Sequence, residues 1–373
     1  MLLKLFLNNF LQTKHLTLFF VFFYSLFCAW LRGIADRVEG LSDTKPVQYK
    51  ENIAIMGNQE QQPASKLTPE SLKQMRFLDI DAKIELSKSK IKEWYDYWDG
   101  EVYVCFSGGK DSTVLLHLVR SLYPDVSAAF TDTGLEYPEI RNLVENTDNV
   151  IWLKPKLNFR EVIEKYGYPV VSKRISGYVY DVRHARRNSN TRRLRLEGLR
   201  KDGSFSPLSK ISNKWRRLIG APFKISNKCC HYLKMAPTLE FEKKTKLKPF
   251  LGIIAFEGKN REAMYFEHGC NAFDLTRPRS TPLAFWSDTD IWEYIRHFNV
   301  PYCPVYDMGY QRTGCTFCMY GVHLEKGDNR FQLMKKTHPK LHKYCIENLG
   351  LGKVLDFIRV PYEPACEKPE KGE

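Results

Sequence analysis

The chain of 373 residues has no collagen-like period, no heptad run, no internal repeat and no series of long apolar segments. Those absences exclude fibrous, coiled-coil, solenoid and polytopic membrane proteins. Cysteine is sparse: ten residues are too few for a disulfide-stapled scaffold of this length. Acidic residues are also in short supply, 43 against 57 Lys and Arg, for a net charge of +14. A surplus of that sign points to a polyanionic partner and says nothing about fold. What is present is ample apolar material, 43% of residues, enough for packed cores and too much for wholesale disorder.

One apolar run stands out. Leu16–Leu31 spans 16 residues between Lys14 and Arg32. That is short of the ~20 needed to cross a bilayer, and Cys28-Ala29-Trp30 makes a poor signal-cleavage site. Residues 1–55 therefore read as a dispensable extension before a start at Met56, with a membrane anchor or signal peptide as the alternatives. The expected location is the cytoplasm, with no membrane partner. Residues 56–99 read as a helical lead-in, with one helix over Ser71–Trp98. From residue 100 strands and helices alternate: Val102–Phe106, Ser112–Leu122, Val126–Thr131, Pro138–Glu145, Val150–Leu153 and Phe159–Tyr166. This alternation predicts an α/β fold, a doubly wound and mostly parallel sheet covered on both faces. Phe250–Phe256 reads as a further strand, and Ser287 as the cap of a helix over Asp288–His297.

Between strand and helix lies Ser107-Gly108-Gly109-Lys110-Asp111-Ser112. Two glycines let consecutive N–H groups converge on an anion, and the following helix adds its positive end. Lys110 brings a mobile charge, and Ser107 and Ser112 bring hydroxyls. The cysteines form two pairs: Cys229-Cys230, and Cys315-Thr316-Phe317-Cys318. A C-x-x-C suits a shared metal. Adjacent cysteines diverge in a strand, so both can ligate only from a turn or a helix start. Four separate irons accommodate adjacent thiolates more readily than one zinc ion does, which favours [4Fe–4S] and leaves zinc as the alternative. Single cysteines such as Cys270 and Cys303 read as small buried apolar residues.

These motifs resemble a known family. The SGGKDS loop is similar to the pyrophosphate loop of the adenine-nucleotide α-hydrolase-like superfamily. Asp132-Thr133-Gly134, with Glu136, resembles the T-D-T-G segment of the PAPS reductase branch, although helix capping also accounts for the two acids. The cysteine pattern resembles that of APS reductases and of related phosphorothioation proteins. Over residues 100–325 the resemblance implies that fold, a nucleotide half (100–172), a remainder carrying the quartet (219–325), and a helical, cluster-binding C-terminal region that ends in a tail (326–373). It implies an adenosine nucleotide (ATP, APS or PAPS) on Ser107, Gly108, Gly109, Lys110, Asp111, Ser112, Asp132, Thr133, Gly134, Glu136 and Arg261. Arg261 enters because Gly258–Glu262 is similar to the family's phosphate-contacting arginine segment, with Ala263 in place of its serine. Lys110 and Asp111 are the expected catalytic residues, with Mg²⁺ accompanying ATP. A [4Fe–4S] cluster is expected on Cys229, Cys230, Cys315 and Cys318, together with a sulfur- or electron-donor protein.

The reductases' E-C-G-L-H tail has no counterpart here. Cys366 is the remaining candidate nucleophile, and its acidic neighbours disfavour a thiolate. Three functions follow: ATP-dependent α-phosphate chemistry in sulfur transfer or nucleic-acid modification, sulfonucleotide reduction to sulfite, or a non-catalytic nucleic-acid-binding regulator. Residues 173–218 read as a basic insertion. Within it, Lys173 to Arg217 hold fourteen Lys and Arg against three acids, so they supply +11 of the +14. They are expected to form a solvated loop, a lid over the nucleotide or a DNA- or RNA-binding arm.

Overall fold

The computed structural model describes residues 68–364. The apolar run 16–31, the Met56 start and Cys366 lie outside the described residues. Among those described, no helix is long and apolar enough to cross a membrane.

The lead-in is two helices. Thr68 caps α1 (Pro69–Arg76), and Asp79 caps α2 (Ile80–Tyr97). The single helix expected over Ser71–Trp98 is therefore broken, because Asp79 is extended and its carboxylate accepts from Ala82 N–H to start a new helix. The chain continues through β1 (Val102–Phe106), α3 (Lys110–Arg120), β2 (Ala128–Thr131), α4 (Pro138–Glu145), β3 (Val150–Leu153) and α5 (Phe159–Lys165), close to the expected elements. It then forms β4 (Val170–Val171), α6 (Lys173–His184), α7 (Asn190–Glu197), α8 (Ala236–Thr245), β5 (Lys248–Leu251), α9 (Lys259–His268), β6 (Asn271–Ala272), β7 (Arg279–Ser280) and α10 (Asp288–His297). After β8 (Met319–Tyr320) come α11 (Arg330–Thr337), α12 (Pro339–Lys343) and α13 (Leu351–Ile358).

The main sheet has the order β3-β2-β1-β5-β7-β6, parallel except for β6 against β7. Alternation along β1 splits its side chains between two layers. Val102, Val104 and Phe106 face a large core that includes Trp94 of α2 and Leu115 of α3. Tyr103 and Cys105 face Phe241 of α8 on the other side. The sheet is thus covered on both faces, as its apolar strands require. The chain runs outward from β1 to β3 and returns to the opposite side of β1 with β5. The strand order reverses at β1, and crevices at such reversals are where open α/β sheets bind ligands.

Two expectations fail. Phe250–Phe256 is not one strand: β5 stops at Leu251, and Ala255–Glu257 is a 3₁₀ turn. The run is apolar because Phe250, Ile254 and Ala255 are buried, whatever their backbone conformation. Nor is 173–217 a loose basic loop. Ile175, Val179, Val182, Trp215 and Leu218 enter a second core with Phe317, Phe331 and Leu355. Arg183 donates to the carbonyls of Leu218, Ile219, Ala221 and Phe223. Arg192 donates to Val182 O, and Arg195 pairs with Asp181 beneath the Tyr178 ring. Several of the bases are internal braces.

Candidate functional site

The residues of the glycine loop, Ser107–Ser112, sit where β1 gives way to α3. Gly108 has φ +69°, in the left-handed region that favours glycine. A Cβ on Gly108 would lie 2.7 Å from Ile140 Cγ2, and one on Gly109 2.7 Å from Thr313 Oγ1. Gly109 caps α3 without a side-chain hydrogen bond, so the cap contributes no side-chain oxygen to the first amides. Ser112 Oγ accepts from Ser107 N–H at 3.1 Å and lies 2.8 Å from Gly109 O, to which it donates, fixing the turn. Lys110 N–H donates to the Tyr306 hydroxyl at 2.9 Å.

Lys110 Nζ bonds to Asp111 Oδ1 at 2.8 Å and Asp288 Oδ1 at 2.6 Å, with its side chain only 5% exposed. Burial pulls its pKa down, and the two carboxylates outweigh that and leave it raised. Burial pushes the Asp111 carboxyl up against the opposing pull of Lys110, and Glu257 and Asp288 add to the rise. An anion arriving at the loop would compete with two carboxylates for one ammonium.

The end of β2 supplies the neighbouring edge. Asp132 is ion-paired with Arg141 and accepts from Gly134 N–H. Glu136 folds back to accept from Thr133 Oγ1 at 2.7 Å and from the N–H groups of Thr133 and Leu135. Both acids therefore shape the 132–136 turn and neither caps α4, whose N-cap Tyr137 makes no side-chain hydrogen bond; Asp132 is half-buried on this edge.

The four paired cysteines are free thiols, and they meet. Cys229 and Cys230 form a helix start and run into a π-helical turn, His231–Met235, that precedes α8. Pro237 lacks an N–H, which accounts for the break in the regular ladder there. Cys318 N–H donates to Cys315 O, making the C-x-x-C a tight turn, and Thr316 N–H donates to Leu135 O at 2.8 Å. The second pair is thereby tied to the Asp132–Glu136 loop.

A hydrogen bond with Cys230, and then burial, hold the Cys229 thiol up. The same bond, with Lys173 and Lys234 nearby, brings Cys230 down to about 6. Burial raises Cys315, against the pull of Lys234, and raises Cys318 to about 11. Lys234 is held up first by Cys315 and then by Glu136, so one ammonium acts on the thiols and the β2 edge together. In donor type and number the set fits a four-thiolate group. Among the described residues, no three or more His, Cys, Asp or Glu are arranged to hold a metal ion.

Arg261 is ion-paired with Glu257 on the α9 side. It approaches the loop only through that carboxylate, which faces Asp111. Asp288, Tyr306, Thr313 and Gly252 touch the loop and escaped assignment to it from the sequence. Their separations from Lys110 carry no local signal, although Asp288 was legible as an acid in the first turn of α10.

The model of the phosphoadenosine phosphosulfate reductase domain family matches residues 101–210 and again 150–320, together more than half of the chain. Residues 173–217 fall inside those matches. An uncharacterized protein of Methanocaldococcus jannaschii is 25% identical over 297 residues, covering 74% of this chain and 58% of the relative. The chain thus spans little more than half the length of that relative. The adenosine 5'-phosphosulfate reductase of Bacillus cytotoxicus is 23% identical over 261 residues, covering 68% of this chain and 88% of the enzyme. The phosphoadenylyl-sulfate reductase of Candida auris superposes with a TM-score of 0.38 at 15% identity, over 68% of this chain and 98% of the other, too loosely to bear on function. With the loop, the β2 edge and the two cysteine pairs inside the matched residues, the chain belongs to the phosphoadenosine phosphosulfate reductase domain family.

Proposed function

We propose that the chain is an enzyme that uses ATP for chemistry at the α-phosphorus, releasing pyrophosphate and adenylating an acceptor for sulfur transfer. The observation that carries this reading is a glycine turn, with a buried lysine, at the strand-order reversal, and four free thiols linked to the neighbouring β2 edge. In this reading the amides of Gly108, Asp111 and Ser112 and the Lys110 ammonium hold the phosphates and stabilise the charge that develops on the departing pyrophosphate. Asp111, once released from Lys110, assists Mg²⁺, and Asp132 holds Arg141 at the rim. Thr133, Gly134 and Glu136 set the wall that the adenosine passes. Arg261 joins the phosphates only if it leaves Glu257.

Cys229, Cys230, Cys315 and Cys318 are the residues that would hold a [4Fe–4S] cluster, whose chemistry when bound would be sulfur binding or electron transfer. Iron and sulfide assays on anaerobically purified protein separate this from zinc. ATP–pyrophosphate exchange tests the main reaction. Exchange is expected in the wild type and at least about 100-fold less in Lys110→Ala, the scale of losing a charge-stabilising donor. No exchange in the wild type overturns the reading.

The match to adenosine 5'-phosphosulfate reductases favours a second reading, sulfonucleotide reduction with Cys366 as nucleophile. Thioredoxin-dependent sulfite release that disappears in Cys366→Ser would establish it. The nucleic-acid-binding regulator is the remaining reading, and salt-sensitive RNA or DNA binding without nucleotide turnover would favour it.

A further inference from the structure

A cavity of about 430 Å³ opens on the second core, between residues 214–217, 322–332 and 358–361. No residue of the phosphate loop or the β2 edge lines it. Its wall carries Lys214, Arg217 and Arg359, all exposed. Among the described residues none of the three has a carboxylate partner. Lys214 lies 5.0 Å from the centre of the Trp215 ring, and Arg217 lies 5.8 Å from that of Phe357. The acid of the wall, Glu325, is already satisfied: Arg330 N–H and Nε each donate to it at 2.8 Å.

Two further features mark the wall. His323 packs edge-on against Trp215, and its Nδ1 is buried without a hydrogen-bond partner. A buried imidazole nitrogen left unbonded is costly unless something reaches it. Arg359 holds φ +59° and ψ +49° at the end of α13, a left-handed conformation that strains a residue bearing a Cβ. Glycine would end the helix without strain, so the strained position keeps a guanidinium at the cavity mouth.

We infer that this cavity is a second anion site, separate from the glycine loop, that binds the phosphate group of a ligand. Two guanidiniums and one ammonium match the several acceptor oxygens of a phosphate better than the two of a carboxylate. The volume leaves room for a nucleotide attached to it. The site does not depend on which reaction the glycine loop supports.

The same phosphate chemistry can arrive on a free nucleotide or on a polynucleotide end or backbone, and the test separates them. Full-length protein is titrated with inorganic phosphate, AMP and an eight-nucleotide single-stranded RNA, by calorimetry and by hydrogen–deuterium exchange, with a peptide covering 107–112 as the reference and, for the cavity, peptides covering 213–217, 322–332 and 358–361. Phosphate is expected to slow exchange in these peptides. Lys214→Gln/Arg359→Gly is expected to lower its affinity at least tenfold. Arg359→Gly relieves the strained backbone, so its melting temperature should not fall. If the double variant nonetheless melts early, Lys214→Gln alone, at an exposed position, carries the same test. AMP competing with phosphate at similar affinity assigns the site to a small ligand. RNA that binds far more tightly, and is lost in the same variant, assigns it to a polynucleotide. Lys110→Ala should leave the cavity signal in place, which keeps this result distinct from failure at the glycine loop. Protection confined to 107–112, or equal phosphate affinity in wild type and variant, overturns the inference.

Discussion

Gly252 illustrates how little room the phosphate loop has. A Cβ there would stand 3.0 Å from Ser112 N and 3.1 Å from Asp111 C and O, all backbone atoms that cannot swing aside. Its own backbone is not in the left-handed region, so alanine costs no torsional strain. The whole effect of Gly252→Ala is a push on the first turn of α3. A shift of that turn spoils convergence of the amides on a phosphate, and positioning errors of this size are expensive. Gly252→Ala is expected to weaken ATP binding about tenfold, ~1.4 kcal/mol, with the four thiols unaffected. Gly258→Ala, where a Cβ meets nothing within 4 Å, should bind ATP as the wild type does. Equal affinity in the two variants would remove the role assigned to Gly252.

Between elements, one ion pair is buried. Lys83 of α2 is 1% exposed, and its Nζ bonds to Asp290 Oδ2 of α10 at 2.7 Å and to Arg76 O at 2.8 Å. Asp290 in turn accepts from Ser287 N–H and Oγ to cap α10, the helix whose Asp288 reaches Lys110. Lys83→Met strands a buried carboxylate, and uncompensated charges of this kind cost about 3–5 kcal/mol. Urea unfolding should show that loss. Adding Asp290→Asn should recover part of it, because the amide keeps an acceptor for Ser287 without the charge. No loss in Lys83→Met would mean that the pair contributes nothing.

Elements of this kind divide into those the sequence makes legible and those it does not. The run from β1 to α5 was readable because each strand is a short apolar block, and the helices between them open on a glycine turn, on Pro138 and on the Asn158 cap. The glycine loop was readable because its chemistry is contiguous. The 173–217 segment was misjudged because its arginines look solvated until Arg183 is seen closing on four carbonyls. For the tandem cysteines the sequence excluded only a strand, which would part them, and left a turn or a helix start; the structure has the helix start. Asp288, Tyr306 and Thr313 reach the loop through tertiary packing, which leaves no spacing in the sequence to read.

At the scale of the molecule, the described residues 68–364 form two large cores. The glycine loop belongs to the sheet core, and the cysteine pairs lie on the second core. The segment from Cys303 to Cys318 spans both. Its Tyr306 hydroxyl holds Lys110 N–H, Thr313 Oγ1 lies 3.2 Å from that hydroxyl, and its far end is the C-x-x-C pair tied to Leu135. A ligand that orders one end of such a segment lowers the cost of ordering the other. Reciprocity then requires the factor by which ATP tightens metal binding to equal the factor by which metal tightens ATP binding, typically about 5–150-fold for coupled sites. For metal-loaded protein, saturating ATP is expected to move the midpoint of a chelator titration upward by a factor in that range. Thr313→Val removes the hydroxyl beside Tyr306 and touches no cysteine. It should therefore keep the metal content of the wild type and lose most of the shift. A midpoint that ignores ATP would mean that the two halves act independently and that the segment joining them is only a connection.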